Sequence, residues 1–139
     1  MRIQYAVNLA EAQAAAQAAV AHAQSQGWKM AVAVADEGGA LIALARMDDS
    51  SPASVMMAIE KARTAAVTGF ATKLLEDAIK VNPAIISSGL VAVEGGLPIT
   101  TEGRRAGGIG VSGGQSHEDG QVASVAIAKL VEQPGWKTK

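Results

Sequence analysis

Residues 30–46 constrain this chain more than any other stretch. Met30-Ala-Val-Ala-Val-Ala-Asp36, then Glu37-Gly38-Gly39, then Ala40-Leu-Ile-Ala-Leu-Ala-Arg46 are two β-type runs joined by a Gly-Gly turn, which reads as a hairpin. Side chains alternate along a strand, so Val32 and Val34 share one face while Ala31, Ala33 and Ala35 share the other. A sheet face that small is one a helix can approach closely. The whole chain carries the same bias, with 49% hydrophobic residues but only 3% aromatic. The core must therefore be built from Ala, Val, Ile and Leu. With large anchors scarce, tight layer packing is expected, with further burial between subunits.

The remaining elements fall around this hairpin. Asn8 as N-cap, Glu11 three residues on and Gly27 as the stop delimit an alanine-rich first helix. Leu9, Ala12, Ala16, Val20 and Ala23 form its expected sheet-facing row. Ser50-Ser51-Pro52 opens a second helix that runs to about Gly69. A short third spans Thr72 to Lys80 and is ended by Asn82-Pro83. Strands are expected near Val91–Val93, Leu97–Thr101 and Arg105–Ser112, the last two joined at Glu102-Gly103. A final helix covers about His117 to Glu132, with Ser116 as N-cap and Asp119 at the third helical position. This order implies a single α+β domain over residues 1–139, with an antiparallel sheet of about five strands flanked by helices.

Composition excludes several functions. The net charge is −1 and no basic stretch is interleaved with aromatics, so nucleic acid is not an expected partner. No window reaches the run of about 18 apolar residues a membrane helix needs. With no apolar leader run either, a cytoplasmic location is the expectation. There are no cysteines, hence no disulfide and no thiolate site. Two separated histidines build no metal site.

Candidate chemistry gathers at a few places. Gly107 to Gly114 leads from a strand into the last helix. Glycines such as Gly108, Gly110 and Gly113, with Ser112, either let backbone approach a ligand near free helix N–H groups or permit tight strand–helix packing. His117 stands on the first turn of that helix, where it can exchange a proton near neutral pH or simply face solvent. Lys61, among Met57, Ala58, Ala62 and Ala65, either meets a substrate carboxylate or pairs with Asp36 or Asp48 to dock helix on hairpin. Arg46 closes the hairpin, and Arg105 follows a turn where it can reach a ligand's acid group or a neighbouring subunit.

Four stretches together resemble the GlcG/HbpS family of haem-binding and haem-degrading domains. They are Val34-Ala-Asp36-Glu-Gly-Gly39 with Ala45-Arg46-Met47-Asp48, Glu60-Lys61-Ala62-Arg63-Thr64-Ala65, Gly95-Gly96-Leu97-Pro98-Ile99, and Gly107 to Gly114 with His117-Glu118-Asp119. The resemblance spans nearly the whole chain in order. It implies a profilin-like fold, a homo-oligomer, and a small ligand such as haem or a related tetrapyrrole. Haem requires an axial donor, and the supply is His22, His117, Tyr5 and the methionines. The Glu-x-x-Glu iron motif of sensor-type relatives is absent from the sequence. Some stand-alone relatives are linked to tautomerisation, which implies an alternative: a cofactor-free isomerase acting on a small keto or hydroxy acid. There His117, Asp36 or Glu118 would move protons while Lys61, Arg46 or Arg105 holds the acid.

Overall fold

The computed structural model describes residues 1–136. Four strands form one antiparallel sheet: β1 (Ala31–Asp36), β2 (Leu41–Arg46), β3 (Gly96–Thr101) and β4 (Arg104–Ser112). Their order is β2-β1-β4-β3, so β2 and β3 are the edges. The helices are α1 (Leu9–Gln26), α2 (Pro52–Thr68), α3 (Thr72–Val81) and α4 (Ser116–Leu130), with a 3₁₀ turn over Pro83–Ser88. The expected fifth strand at Val91–Val93 does not form. The amides of Val91 and Glu94 donate instead to the side chains of Thr64 and Glu76. Helices α2 and α3 thus take the hydrogen bonds that a neighbouring strand would have supplied.

Helix limits follow local chemistry. Asn8 accepts from the Glu11 amide while the Glu11 side chain accepts from the Asn8 amide, a complete capping box. Gly27 ends α1 at φ 76°, a left-handed conformation that glycine adopts without strain. Ser51 caps α2, with Pro52 as its first helical residue. At the β3–β4 turn Glu102 and Gly103 have φ values of 50° and 72°, as a two-residue hairpin loop of matching twist requires.

The alternation in β1 divides the molecule into layers. Val32 and Val34, with Ile109 and Val111 of β4, face α1 and α4. Ala31, Ala33 and Ala35 face Ala58, Ala62 and Ala66 of α2. The row on α1 differs from the expected one: Ala12, Ala15, Ala16, Ala19 and Ala23 are buried, while Leu9 is 55% exposed and Val20 is half-buried. The inward face of α1 is nearly all alanine, because alanine lets the helix axis come closest to the sheet.

On the α2 side the approach is closer still. A Cβ added to Gly108 would lie 2.3 Å from the Ala62 carbonyl oxygen, and one on Gly110 would lie 2.1 Å from that of Ala58. Helix backbone rests on strand backbone at these two positions, and no side chain of any kind fits between. Gly110→Ala should cost at least about 3 kcal/mol, because backbone on both sides must move. Gly38→Ala, at a turn where the added Cβ meets only Asp36 Oδ1 at an ordinary contact distance of 3.5 Å, should cost under about 1 kcal/mol. Urea unfolding of the two variants checks this contrast.

Candidate functional site

The buried chemistry lies at the end of the sheet where β4 leaves for α4. Lys61 is 1% exposed. Its Nζ donates to the Val111 carbonyl at 2.9 Å and to Asp119 Oδ2 at 3.0 Å. Asp119, 2% exposed, also accepts from the Gly114 amide at 3.0 Å. A Cβ on Gly95 would lie 2.8 Å from Lys61 Nζ, so glycine at 95 makes the room for the ammonium. The partner of Lys61 is therefore Asp119 of α4, and the pairing with Asp36 or Asp48 raised from the sequence does not occur.

The sequence spacing places Asp119 in a capping box with Ser116. The helix instead begins at Ser116 with Gln115 as N-cap, and Glu118 takes the capping role by accepting from the Gln115 amide. That frees Asp119 to turn inward. Burial pushes its carboxyl above the usual 3.8, while the Lys61 charge and the Gly114 N–H pull it back down.

The other residues singled out from the sequence fall into separate places. Gly108 and Gly110 lie beneath α2, and Gly113 packs on the Lys29 carbonyl. Ser112 is nearly buried and pairs with Ala31. His117 is exposed on the first turn of α4. Asp36 stands at the opposite end of the sheet, in register with Gly107, where its Oδ1 accepts from the Gly38 and Ala40 amides and shapes the hairpin turn. Gly107 and Val111 are separated by about 14 Å of strand. Arg105 is also at that far end and donates to the Ala66 and Val67 carbonyls, closing the last turn of α2. Asp36, Lys61 and Arg105 thus do not meet at one cavity. Arg46 donates to the Ser50 carbonyl and is the one candidate cation that lines an open depression near the β4–α4 end.

That depression belongs to a larger feature not anticipated from the sequence. A groove of about 430 Å³ runs between α1 and edge strand β2, walled by Leu9, Val20 and Ile42, with residues 43–45 of β2 also lining it. Past Val20, Gln24 and Ala45 it meets a second depression of about 310 Å³ that also takes in Lys29, Arg46, Met47 and Asp48. The groove exists because β2 offers only alanine opposite Val34 and Val32, too little volume to fill the space beside α1. A sequence signal was present: Leu9 and Val20 are too large for an α1 face otherwise made of alanine. Among the described residues no group of three or more His, Asp or Glu side chains is placed to hold a metal, and no helix is long and apolar enough to cross a membrane.

Comparison with known proteins gives a consistent picture. The family profile described as "Haem degrading protein HbpS-like" matches residues 7–128. Protein GlcG of Escherichia coli (strain K12) is 41% identical over 92 residues, covering 65% of this chain and 69% of that protein. Among solved structures, a double mutant of Streptomyces reticuli HbpS superposes with a TM-score of 0.88 at 32% identity, covering 92% of this chain and 89% of that one. A PduOC:haem complex superposes with a TM-score of 0.83 at 28% identity, covering 96% of this chain and 98% of that one.

Lys61→Met should cost about 3–5 kcal/mol, since it leaves a buried carboxylate uncompensated, and adding Asp119→Asn should recover a large part of that loss; denaturant unfolding of the single and double variants reads both. The pH dependence of Asp119 also has a defined sign. Its folded-state carboxyl lies above the usual 3.8, so its contribution is fully present below that value and is lost as pH rises through the folded value. Measured against Asp119→Asn, the unsubstituted protein should lose relative stability as pH rises from about 3.8 toward neutrality.

Proposed function

This chain belongs to the haem-degrading HbpS-like family, and from that premise we propose that it is a small-ligand-binding protein whose ligand is haem or a related tetrapyrrole. The observation that carries this reading is the groove between α1 and β2, on a backbone that superposes over 96% of its length on a protein crystallised with haem. Ligand sites of this kind are concave, mostly apolar and largely pre-formed.

The residues fit the group in three respects. A flat macrocycle needs apolar walls with a shallow floor, which Leu9, Val20 and Ile42 supply around Ala43 and Ala45. It needs an edge where carboxylates reach water, and the groove opens at Lys29 and Arg46. Iron needs a donor, and Met47 is among the residues at the same end. His22 is engaged elsewhere, beside Gln121 at 3.1 Å and edge-on to Trp28, on the side where α1 faces α4. When bound, haem would supply its own redox and ligand chemistry; the chain supplies the cradle, the orientation and the exclusion of water from one face. In this reading the protein works as a homo-oligomer.

Titration with hemin, followed by absorbance, tests the proposal. A saturable, stoichiometric shift of the Soret band is expected. Ala43→Phe should abolish it by filling the floor while leaving the thermal transition in place. Absence of a saturable shift, or unaltered binding by Ala43→Phe, would count decisively against the groove.

A further inference from the structure

The two edges of the sheet are not alike. In β3 the Val111 amide donates to the Gly95 carbonyl, so by the alternation of an antiparallel ladder residue 98 turns its backbone nitrogen outward. That residue is proline, which has no N–H to offer a further strand. β2 has neither proline nor charge over residues 41–45, and its one irregularity lies opposite Val34 and Ala35, near its start. Leu41 and Leu44 on it are 47% and 40% exposed. The Met47 amide donates to the Met30 carbonyl, so Ala43 and Ala45 bond to β1 while Leu44 and Arg46 turn their N–H and C=O groups outward. Such an apolar edge is a template for another strand. The same strand floors the groove. Ala43 and Ala45 face α1, whereas Leu44, opposite Ala33, faces the α2 side. Only α1 walls this floor, and away from α1 the floor ends at the open edge.

Resting on the reading that this groove is the ligand site, we infer that β2 pairs antiparallel with β2 of a second copy of this chain, and that the second copy supplies the missing wall. A strand meets itself in this way across a two-fold axis, so one edge serves both partners. The axis relating two antiparallel strands stands perpendicular to the sheet. Both α1 helices therefore lie on the same face. The two grooves fuse into one trough, floored by Ala43 and Ala45 of both copies and walled by α1 on each side. The strand's one charge, Arg46, is its last residue. Antiparallel pairing sets it beside apolar residues of the second copy, whereas parallel pairing would set it beside its own counterpart. The ligand is then shared between copies, and by linkage it strengthens the pair that holds it.

Sedimentation velocity on the full chain measures the pairing, and Soret titration with hemin measures the shared trough. Leu44→Pro removes only an outward N–H, and Leu44→Lys guards the edge with a charge as natural edges do. Neither side chain reaches the groove floor, since position 44 faces the α2 side. The unsubstituted protein should sediment as a dimer or a multiple of one. Both variants should fall to half that mass or less with unchanged circular dichroism, and Leu44→Lys keeps the test intact should proline disturb the strand. Both should bind hemin about tenfold more weakly, the change that losing roughly 60 Å² of apolar contact produces. Diluted until it dissociates, the unsubstituted protein should reassociate when hemin is added. A monomer at every concentration, or unaltered mass in both folded variants, overturns the pairing and leaves the edge to a different partner. If both variants lose the pairing yet hold hemin as tightly as before, the shared trough is overturned while the groove stands. If the protein pairs through β2 but shows no saturable Soret shift, the groove reading fails and the pairing alone survives.

Discussion

The structure is organised around the contact of α2 with β4, in which the backbones of a helix and a strand lie directly on one another. Ala58, Ala62 and Ala66 on one side and Gly108 and Gly110 on the other leave no side-chain layer between the two. Dispersion between closely packed atoms and removal of backbone from water then supply the cohesion that larger side chains provide elsewhere. Nearly everything else is adjusted to that spacing. Lys61 shares the helical row with Ala58, Ala62 and Ala65, so bringing α2 down onto the sheet carries a lysine into the interior.

A buried ammonium must find a counter-charge and acceptors, and it finds both at the junction of β4 with α4. The pair ties α2 to two elements that are distant from it in sequence but adjacent to each other, the end of β4 and the first turn of α4. It contributes position more than net stability, since the cost of removing both charges from water offsets much of their attraction. The glycines around it, Gly95 among them, follow from the same crowding. The resemblance of this region to a catalytic centre thus has a packing origin: a cation, a carboxylate and a glycine loop converge because the layers are close.

On the opposite side of the sheet, α1 carries alanine inward and β2 carries alanine at positions 43 and 45. Two small surfaces facing one another at the sheet edge leave a gap rather than a core. The feature that makes the α2 side impenetrable therefore opens a ligand-sized groove on the α1 side. Its charged end arises where β2 terminates and chain polarity returns.

What the sequence determined by itself was everything set by neighbours along the chain. The alternation at 31–36 and the Gly-Gly turn specified the hairpin, Asn8 with Glu11 and Ser51 with Pro52 specified two helix starts, and the motif order specified the family. The tertiary structure decided what depended on which groups lay across space. It denied Val91–Val93 a strand by giving Val91 and Glu94 side-chain acceptors, and it handed the capping role from Asp119 to Glu118 so that Asp119 could meet Lys61. It also put Asp36 and Lys61 at opposite ends of the sheet. The physical reason is that spacing along a chain fixes local hydrogen bonds and faces, whereas burial, charge pairing and grooves depend on the distance between layers, which side-chain volumes set only once the layers meet.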